Sequence, residues 1–483
     1  MSTPPRRSRA RQDLEGKGTA SPAIRALADA APVPLWLDRP TGPAPGGRLA
    51  GTTHADLAVA GAGFAGLWTA LLAKEADPSL DVVVLEADLP GTAASGRNGG
   101  FVSSSLTHGV TNGEARLPGE IARLEQLGQE NFEELGATIE RYGIDCHFER
   151  NGELQVATER YQLDALVETH AALRRYGGVA DLLDGAATRA AVASPTYLGG
   201  LWVRSGAGLV DPAALSGGLV EACLRHGVRF YTRSPVRAIE RSGTGLVLRS
   251  PYGQVHAGKA ALAVNAFRSP LRRTRAYVVP VWDYVLATEP LTPGQLESLA
   301  WRDRQGVSDS GNQFHYYRLT PDNRILFGGY DAVYYPGGGT QGELADRPET
   351  FLLLAEHFFA TFPQLEGVSF SHAWGGVIDT CSRFFAFYGS AYAGRLAYAA
   401  GYTGLGVGAT RFAAKVVLEL LAGRGELLDL DLVRTRPVPF PPEPLRRLVV
   451  DLTRRSLARA DAHQGRRDPW LRLLDRLGIG FDS

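Results

Sequence analysis

The sequence predicts an α/β protein in which a parallel-sheet domain, written in three separate stretches, is interrupted by an α+β domain built on a mainly antiparallel sheet. Three observations carry this. Apolar runs at 57–60 and 82–85 flank a helix-like segment rich in Ala and Leu, Phe64 to Ala76, the strand, helix, strand order of a parallel unit. A similar apolar run at 397–400, followed by a glycine loop and a helix over 410–421, repeats that logic near the end of the chain. Between them, amphipathic spacing alternates with period-2 strands and hairpin signals.

The chain begins with Arg6, Arg7, Arg9 and Arg11 in a segment rich in Ser, Pro and Gly. Few apolar residues are available to fold it, so residues 1–53 read as a flexible basic extension. No apolar h-region follows the paired arginines, so export is not expected. Residues 34–37 form a small apolar patch able to tack the extension to the body, and folded structure is expected to begin near His54.

The first strand enters a turn with Gly61, Gly63 and Gly66 around Phe64 and Ala65. In that spacing the first glycine makes the tight turn, the second lets backbone approach a pyrophosphate, and the third lets helix and strand pack closely. Free N–H groups at the helix start bind the phosphates. Glu86 ends the second strand, 20 residues past Gly66. Its carboxylate suits the hydroxyls of an unphosphorylated ribose, as in FAD or NAD, and would repel a 2′-phosphate.

Ile121, Leu124, Leu127, Phe132, Leu135 and Ile139 give 117–142 the spacing of an amphipathic helix. A strand over 152–158 and a helix over 161–176 follow, a segment of different character that reads as an inserted domain. The parallel domain resumes with a helix after Pro212, strands at 228–231 and 236–239 with Val236 near the nucleotide's adenine edge, and a buried strand over 260–264 closing on Asn265. Ligands bind at such strand ends in open α/β sheets. Strands at 281–288 and from His315 to Phe327, turning at 321–323, then a helix over 351–362 and a strand-like stretch at 374–387, complete the second sheet. Residues 445–477 read as packing helices or a surface-binding element. The expected boundaries are therefore 54–110, 205–268 and 395–425 for the nucleotide domain, 111–204 and 269–394 for the inserted domain, and 426–483 for a helical extension.

Composition excludes several classes. The formal net charge is zero, which offers nucleic acid no electrostatic footprint. No apolar run reaches 18 residues, so no membrane-spanning helix is expected. Cys146, Cys223 and Cys381 are isolated, and the histidines and acidic residues show no ligand spacing, so neither a disulfide framework nor a metal is expected; the cytoplasm suits such thiols. The only lysines are Lys17, Lys74, Lys259 and Lys415, and none reads as poised for catalysis.

The motifs GAGFAGLWTA, VVVLEADLPG, ASGRNGG, YYRLTPDNRILFGG and AAGYTGLGVGAT, in this order, resemble the D-amino-acid oxidase and glycine oxidase superfamily, in its γ-glutamylputrescine oxidase-like branch. The resemblance runs from about residue 34 to 421. It implies a Rossmann-like FAD-binding domain with an inserted α+β substrate domain, and FAD-dependent oxidation of a C–N bond in a small amine or amino acid. It further implies that Gly61, Gly63, Gly66 and Glu86 hold the ADP half of FAD. Ser95, Arg97, Asn98, Gly99 and Gly100 would run along the pyrophosphate and ring, and Gly404, Leu405 and Gly406 would face the pyrimidine end. Some relatives attach FAD through a cysteine, but Cys381 is displaced from that place, so noncovalent FAD is expected. His315, Tyr316, Tyr317 and Trp374 are the candidates to line the substrate cavity, and Arg318 reads either as a carboxylate binder or as a solvated strand residue. The electron acceptor, O2 or another carrier, stays open. Competing readings are an NAD(P)-linked flavin reductase and a noncatalytic flavin-binding or interaction protein.

Overall fold

The computed structural model describes residues 21–40, 42, 44–476 and 479. The arginine-rich start of the expected extension, Arg6 to Arg11, lies outside them.

Alternation with both faces buried shapes the first sheet. Val59, Val82 and Val84 point to one side and Ala58, Ala60, Val83 and Leu85 to the other, each set joining a different core cluster. The strands run in the order Phe387–Ala391, Leu396–Ala400, Gly253–Leu262, Gly51–Ala60, Val82–Leu85, Arg229–Tyr231, and all but the first are parallel. Three helices, Phe64–Ala76, Pro212–Arg225 and Gly406–Ala422, cover one face. The other is covered by an antiparallel meander, Ala238–Ser242 and Gly245–Ser250, hung on Gly253–Leu262. Phe387–Ala391 falls in this sheet and not, as expected, in the inserted domain. It pairs with Leu396–Ala400 as a hairpin, which local pairing favours over a return to the distant sheet.

The second sheet also has eight strands, in the order Phe370–Thr380, Val279–Thr288, Ile325–Gly329, His315–Leu319, Gly306–Asp309, Glu153–Ala157, Gly199–Val203, Ala180–Asp184. Its pairings are antiparallel except Gly306–Asp309 with Glu153–Ala157. One face packs on the helix Pro348–Thr361 through an aromatic cluster that includes Tyr317, Phe327, Phe358 and Phe362. The opposite face looks toward the nucleotide domain. The long helix Ile121–Tyr142, expected in the inserted domain, lays Leu124, Phe132 and Leu135 on the nucleotide core.

Order begins well before His54, which corrects the expected boundary of the extension. The helix Pro22–Ala26 places Ala23 and Ala26 in the aromatic core, and Ala31 exchanges backbone hydrogen bonds with the edge strand, to Ser371 O at 2.7 Å and from Ala373 N at 2.9 Å. Trp36 is 4% exposed and its indole donates to Asn98 O at 2.8 Å. An 18-residue helix, Leu445–Ala462, and a shorter one, Pro469–Arg476, close the chain. Asp461 accepts from the Asn312 and Gln313 backbone N–H groups, both at 3.0 Å, and Arg454 pairs with Asp331 at 2.7 Å. No described helix is long and apolar enough to cross a membrane.

Trp36→Ala is expected to cost about 3–5 kcal/mol, the range for emptying a buried Trp site. A flexible extension would give about 0.5 kcal/mol or less. Urea unfolding of the purified chain separates the two.

Candidate functional site

Between the two sheets lies a cavity of about 1470 Å³, beyond the usual 300–1,000 Å³ of a small-ligand site and large enough for a dinucleotide together with a substrate. One wall begins at the first glycine turn. Gly61 sits at φ +107°, and a Cβ there would come within 2.2 Å of Ala263 O; a Cβ on Gly66 would come within 1.9 Å of Gly61 O. These two glycines serve the turn itself. Gly63, Phe64 and Ala65 line the cavity at the start of the helix Phe64–Ala76, where Ser95 Oγ accepts from Phe64 N at 2.9 Å.

Glu86 stands behind the turn rather than on the large cavity's lining. Its carboxylate accepts from Ala62 N at 2.7 Å and Asp88 N at 2.9 Å, and burial pushes its pKa above the usual carboxylate range. Val236 is half-buried against the meander core and likewise off the lining. Asn265 lines the cavity at φ +50°, and its Oδ1 is buried with no partner among the described residues.

The segment 94–100 crosses the middle of the wall. Trp374 Nε1 donates to Arg97 O at 2.9 Å, one residue from the Asn98 carbonyl that Trp36 holds. Asn98 binds its own loop, donating to Ala94 O and Ser95 O and accepting from Gly100 N. Arg97 gives its guanidinium to Thr92 O and Gly375 O, and Gly99 is packed so close that a Cβ would meet the Tyr316 ring at 2.6 Å. Gly100, at φ +78°, lies behind the wall, where a Cβ would meet Val210 O at 2.1 Å.

The third piece is the loop 401–406. Asp379, at the end of an edge strand, accepts from Gly401 N at 2.6 Å and Tyr402 N at 3.2 Å, and burial raises its pKa to about 7 against those donors. Gly404, Leu405 and Gly406 line the cavity as the helix Gly406–Ala422 begins, and a Cβ on Gly404 or Gly406 would meet nothing within 4 Å. Bare backbone, a helix N-terminus, the orphaned Asn265 Oδ1 and a buried, unpartnered Tyr402 hydroxyl facing one space fit a flavin dinucleotide. Cys381 borders the same space, but its thiol is engaged with Phe385 O and Gly401 O and burial raises its pKa.

The opposing wall is the substrate sheet. Of the four expected cavity residues Tyr316 alone lines it. His315 and Tyr317 flank it on the strand and therefore point to the other face, since side chains alternate. There His315 binds Asp309 at 2.6 Å and His357 at 2.9 Å, and Tyr317 binds Tyr197 at 2.6 Å. Trp374 is used up by the 94–100 segment. Arg318 is fully buried, donating to Val210 O at 2.7 Å, with its pKa lowered to about 10 by burial; it is neither solvated nor open to a substrate.

Asp283 was not anticipated. It faces the cavity, accepts from the Tyr316 hydroxyl at 2.6 Å and from Tyr284 N, and burial raises its pKa to about 6 against those donors. An acid interrupting the apolar run VPVWDYVLAT was the available signal, and Asp379 at the end of GGVIDT was another. Among the described residues no three of His, Cys, Asp and Glu are grouped to hold a metal ion. Lys74 caps Pro78 O and Leu80 O, and Lys415 pairs with Glu134.

The DAO family model, described as FAD dependent oxidoreductase, matches residues 56–420. The chain is 36% identical over 387 residues to gamma-glutamylputrescine oxidoreductase of Escherichia coli (strain K12), covering 77% of this chain and 85% of that protein. It is 28% identical over 386 residues to the probable oxidoreductase OrdL of Haemophilus influenzae, covering 78% and 85%. The crystal structure of glycine oxidase from Geobacillus kaustophilus shares the fold, with a TM-score of 0.65 at 20% identity over 80% of this chain and all of that one.

Two outcomes are expected. Gly406→Ala places a methyl in the open cradle without a clash in the chain. It should leave the unfolding midpoint of the cofactor-free protein within about 0.5 kcal/mol of wild type and weaken FAD binding about tenfold, measured by flavin fluorescence quenching. Asp379 has a raised pKa, so its protonated form is the one folding favours. Its contribution is full below about pH 4 and lost as pH rises through about 7. Asp379→Asn should flatten the fall in thermal midpoint across that window.

Proposed function

Since the chain belongs to the DAO family of FAD-dependent oxidoreductases, we propose that it oxidises a C–N bond of a small amine or amino acid. Bound FAD supplies a hydride acceptor at N5, and the imine so produced hydrolyses to a carbonyl compound. The observation that carries this reading is the opposition of two walls across one cavity. One is bare backbone at two helix starts, and the other bears a buried carboxylate and phenol.

The chain's own residues divide the work. Gly63 to Ala65, Ser95, Arg97 to Gly99 and Asn265 would hold the dinucleotide, with Gly100 and Glu86 supporting the wall and the turn from behind and Val236 toward the adenine end. Gly404 to Gly406 would turn N–H groups and a helix start toward the flavin, where they would stabilise the negative charge of its reduced form. Tyr316 donates its proton to Asp283, which leaves the phenol oxygen free to accept an N–H from the substrate amine. This pair orients the amine, while the surrounding sheet and helices exclude water. FAD is held noncovalently, with Cys381 committed to backbone carbonyls. The three cysteines are free thiols and buried, which suits a reducing compartment such as the cytoplasm.

Anaerobic addition of amines and amino acids to the purified holoprotein is expected to bleach the flavin absorption with one class of donor. Admitting air then tells whether O2 is the acceptor. A flavin that no donor bleaches would overturn the oxidase reading. The amine-orienting pair requires Asp283 as carboxylate, so kcat/KM, expressed per unprotonated substrate amine, should rise with pH through about 6 and then level. Asp283→Asn should remove that acid limb and lower kcat/KM about 10- to 100-fold, the loss of one charge-assisted contact.

A further inference from the structure

The cavity-facing side of the substrate sheet carries more than the Asp283 and Tyr316 pair. Ser308 lies opposite Tyr316 on the next strand and opposite Gln155 on the strand beyond, and all three line the cavity. Ser308 Oγ donates to Glu153 Oε1 at 2.6 Å, and Glu153 lines the cavity two residues from Gln155 on the same face. Among the described residues no donor meets the other oxygen, Oε2, and no cation pairs with Glu153. Burial raises its pKa, opposed by the Ser308 hydroxyl. A carboxylate so enclosed is costly unless something brings it a positive charge.

The chain itself brings none. Among the described residues that line the cavity there are eight carboxylates, and the Lys and Arg side chains are Arg97 and Arg454. Both are committed, Arg97 to Thr92 O and Gly375 O and Arg454 to Asp331. The remaining basic side chain, His108, is held toward its neutral form by burial. Arg97 keeps its charge but lies on the wall opposite the substrate sheet, so the row beside Glu153 offers a substrate carboxylate no open cation and a second ammonium a ready partner. From Asp283 to Glu153 the line crosses five neighbouring strands and shifts four residues along them, about 19 Å across the sheet and about 13 Å along it at the usual spacings. Its two anchors suit the two ends of an extended molecule.

We propose that Glu153, with Ser308 and Gln155 beside it, is a second-nitrogen site, and that the substrate is an amine of the diamine class whose far nitrogen is protonated and held by Glu153 Oε2. This rests on the amine-oxidation reading for the near end. The reacting carbon then bears no carboxylate, which separates this enzyme's donors from simple amino acids.

The test uses the full-length holoprotein and follows the flavin spectrum during anaerobic titration with three probes of equal chain length: an α,ω-diamine, an n-alkyl monoamine and an ω-amino acid. The diamine is expected to act at a concentration about tenfold or more below the monoamine, one charge-assisted contact, with the ω-amino acid weakest. Glu153→Gln should bring diamine and monoamine to within about threefold of each other, and Glu153→Asp should restore part of the gap. A monoamine as effective as the diamine, an ω-amino acid that binds best, or a Glu153→Gln protein that keeps the full preference overturns the proposal. Should Glu153→Gln fail to fold, the wild-type order of the three probes decides. Spectral shifts in the expected order without bleaching would uphold the anchor and overturn the oxidation reading. Bleaching by all three alike would do the reverse.

Discussion

Two indole N–H groups holding two consecutive carbonyls organise this molecule. Trp374 comes from the edge strand of the substrate sheet and Trp36 from the N-terminal segment, and they fasten Arg97 O and Asn98 O from opposite parts of the chain. The segment 97–100 thereby joins both sheets and the N-terminal segment at one line of backbone. Arg318 reinforces it, reaching Gly100 O and Val210 O while stacking over the Trp36 ring. The loop holds its shape because the Arg97, Asn98 and Gly100 carbonyls and the Asn98 side chain are all hydrogen-bonded, which is what a wall beside a reactive ring requires.

The second constraint is the handling of buried acid. Asp379, Asp283 and Glu153 all border the cavity, and each is met by neutral donors, either backbone N–H groups or hydroxyls. Neutral donors spread a charge without cancelling it, so burial still raises the pKa of all three, to about 6 for Asp283 and about 7 for Asp379. A guanidinium at the same place would fix the charge and close the position to a ligand. Where the chain does pair acids with cations, as Glu134 with Arg411 and Lys415, the bond serves helix packing at the cavity's margin.

Much of the nucleotide domain was legible because glycine spacing and period-2 alternation are local signals that tertiary context leaves standing. The turn at Gly61 to Gly66, the strand ending at Glu86 and the glycine loop at 401–408 were all readable this way. The patch at 34–37 was readable as a tack, but the helix Pro22–Ala26 and the pairing of Ala31 were not, since their evidence is three alanines whose partners lie far along the chain. The placement of Phe387–Ala391 was hidden by its neighbour, an aromatic strand that belongs to the other sheet. On the strand from His315, alternation alone separates Tyr316 from His315 and Tyr317, but which face meets the cavity depends on the helix Pro348–Thr361 covering the other. Asp283 and Glu153 looked like ordinary strand residues until the sheet order put them on one face.

The outer end of the cavity is walled by the last two helices, through residues such as Val449, Thr453, Leu457 and Leu474. Synthesis runs from the N-terminus, so this wall is made after the cradle. The cradle is complete once the helix Gly406–Ala422 has emerged, whereas the wall needs the 54 residues from 423 to 476. At ordinary elongation rates that is an interval of about 3–10 s. During it the nascent chain holds every residue of the cradle and lacks the complete wall that closes the cavity's outer end.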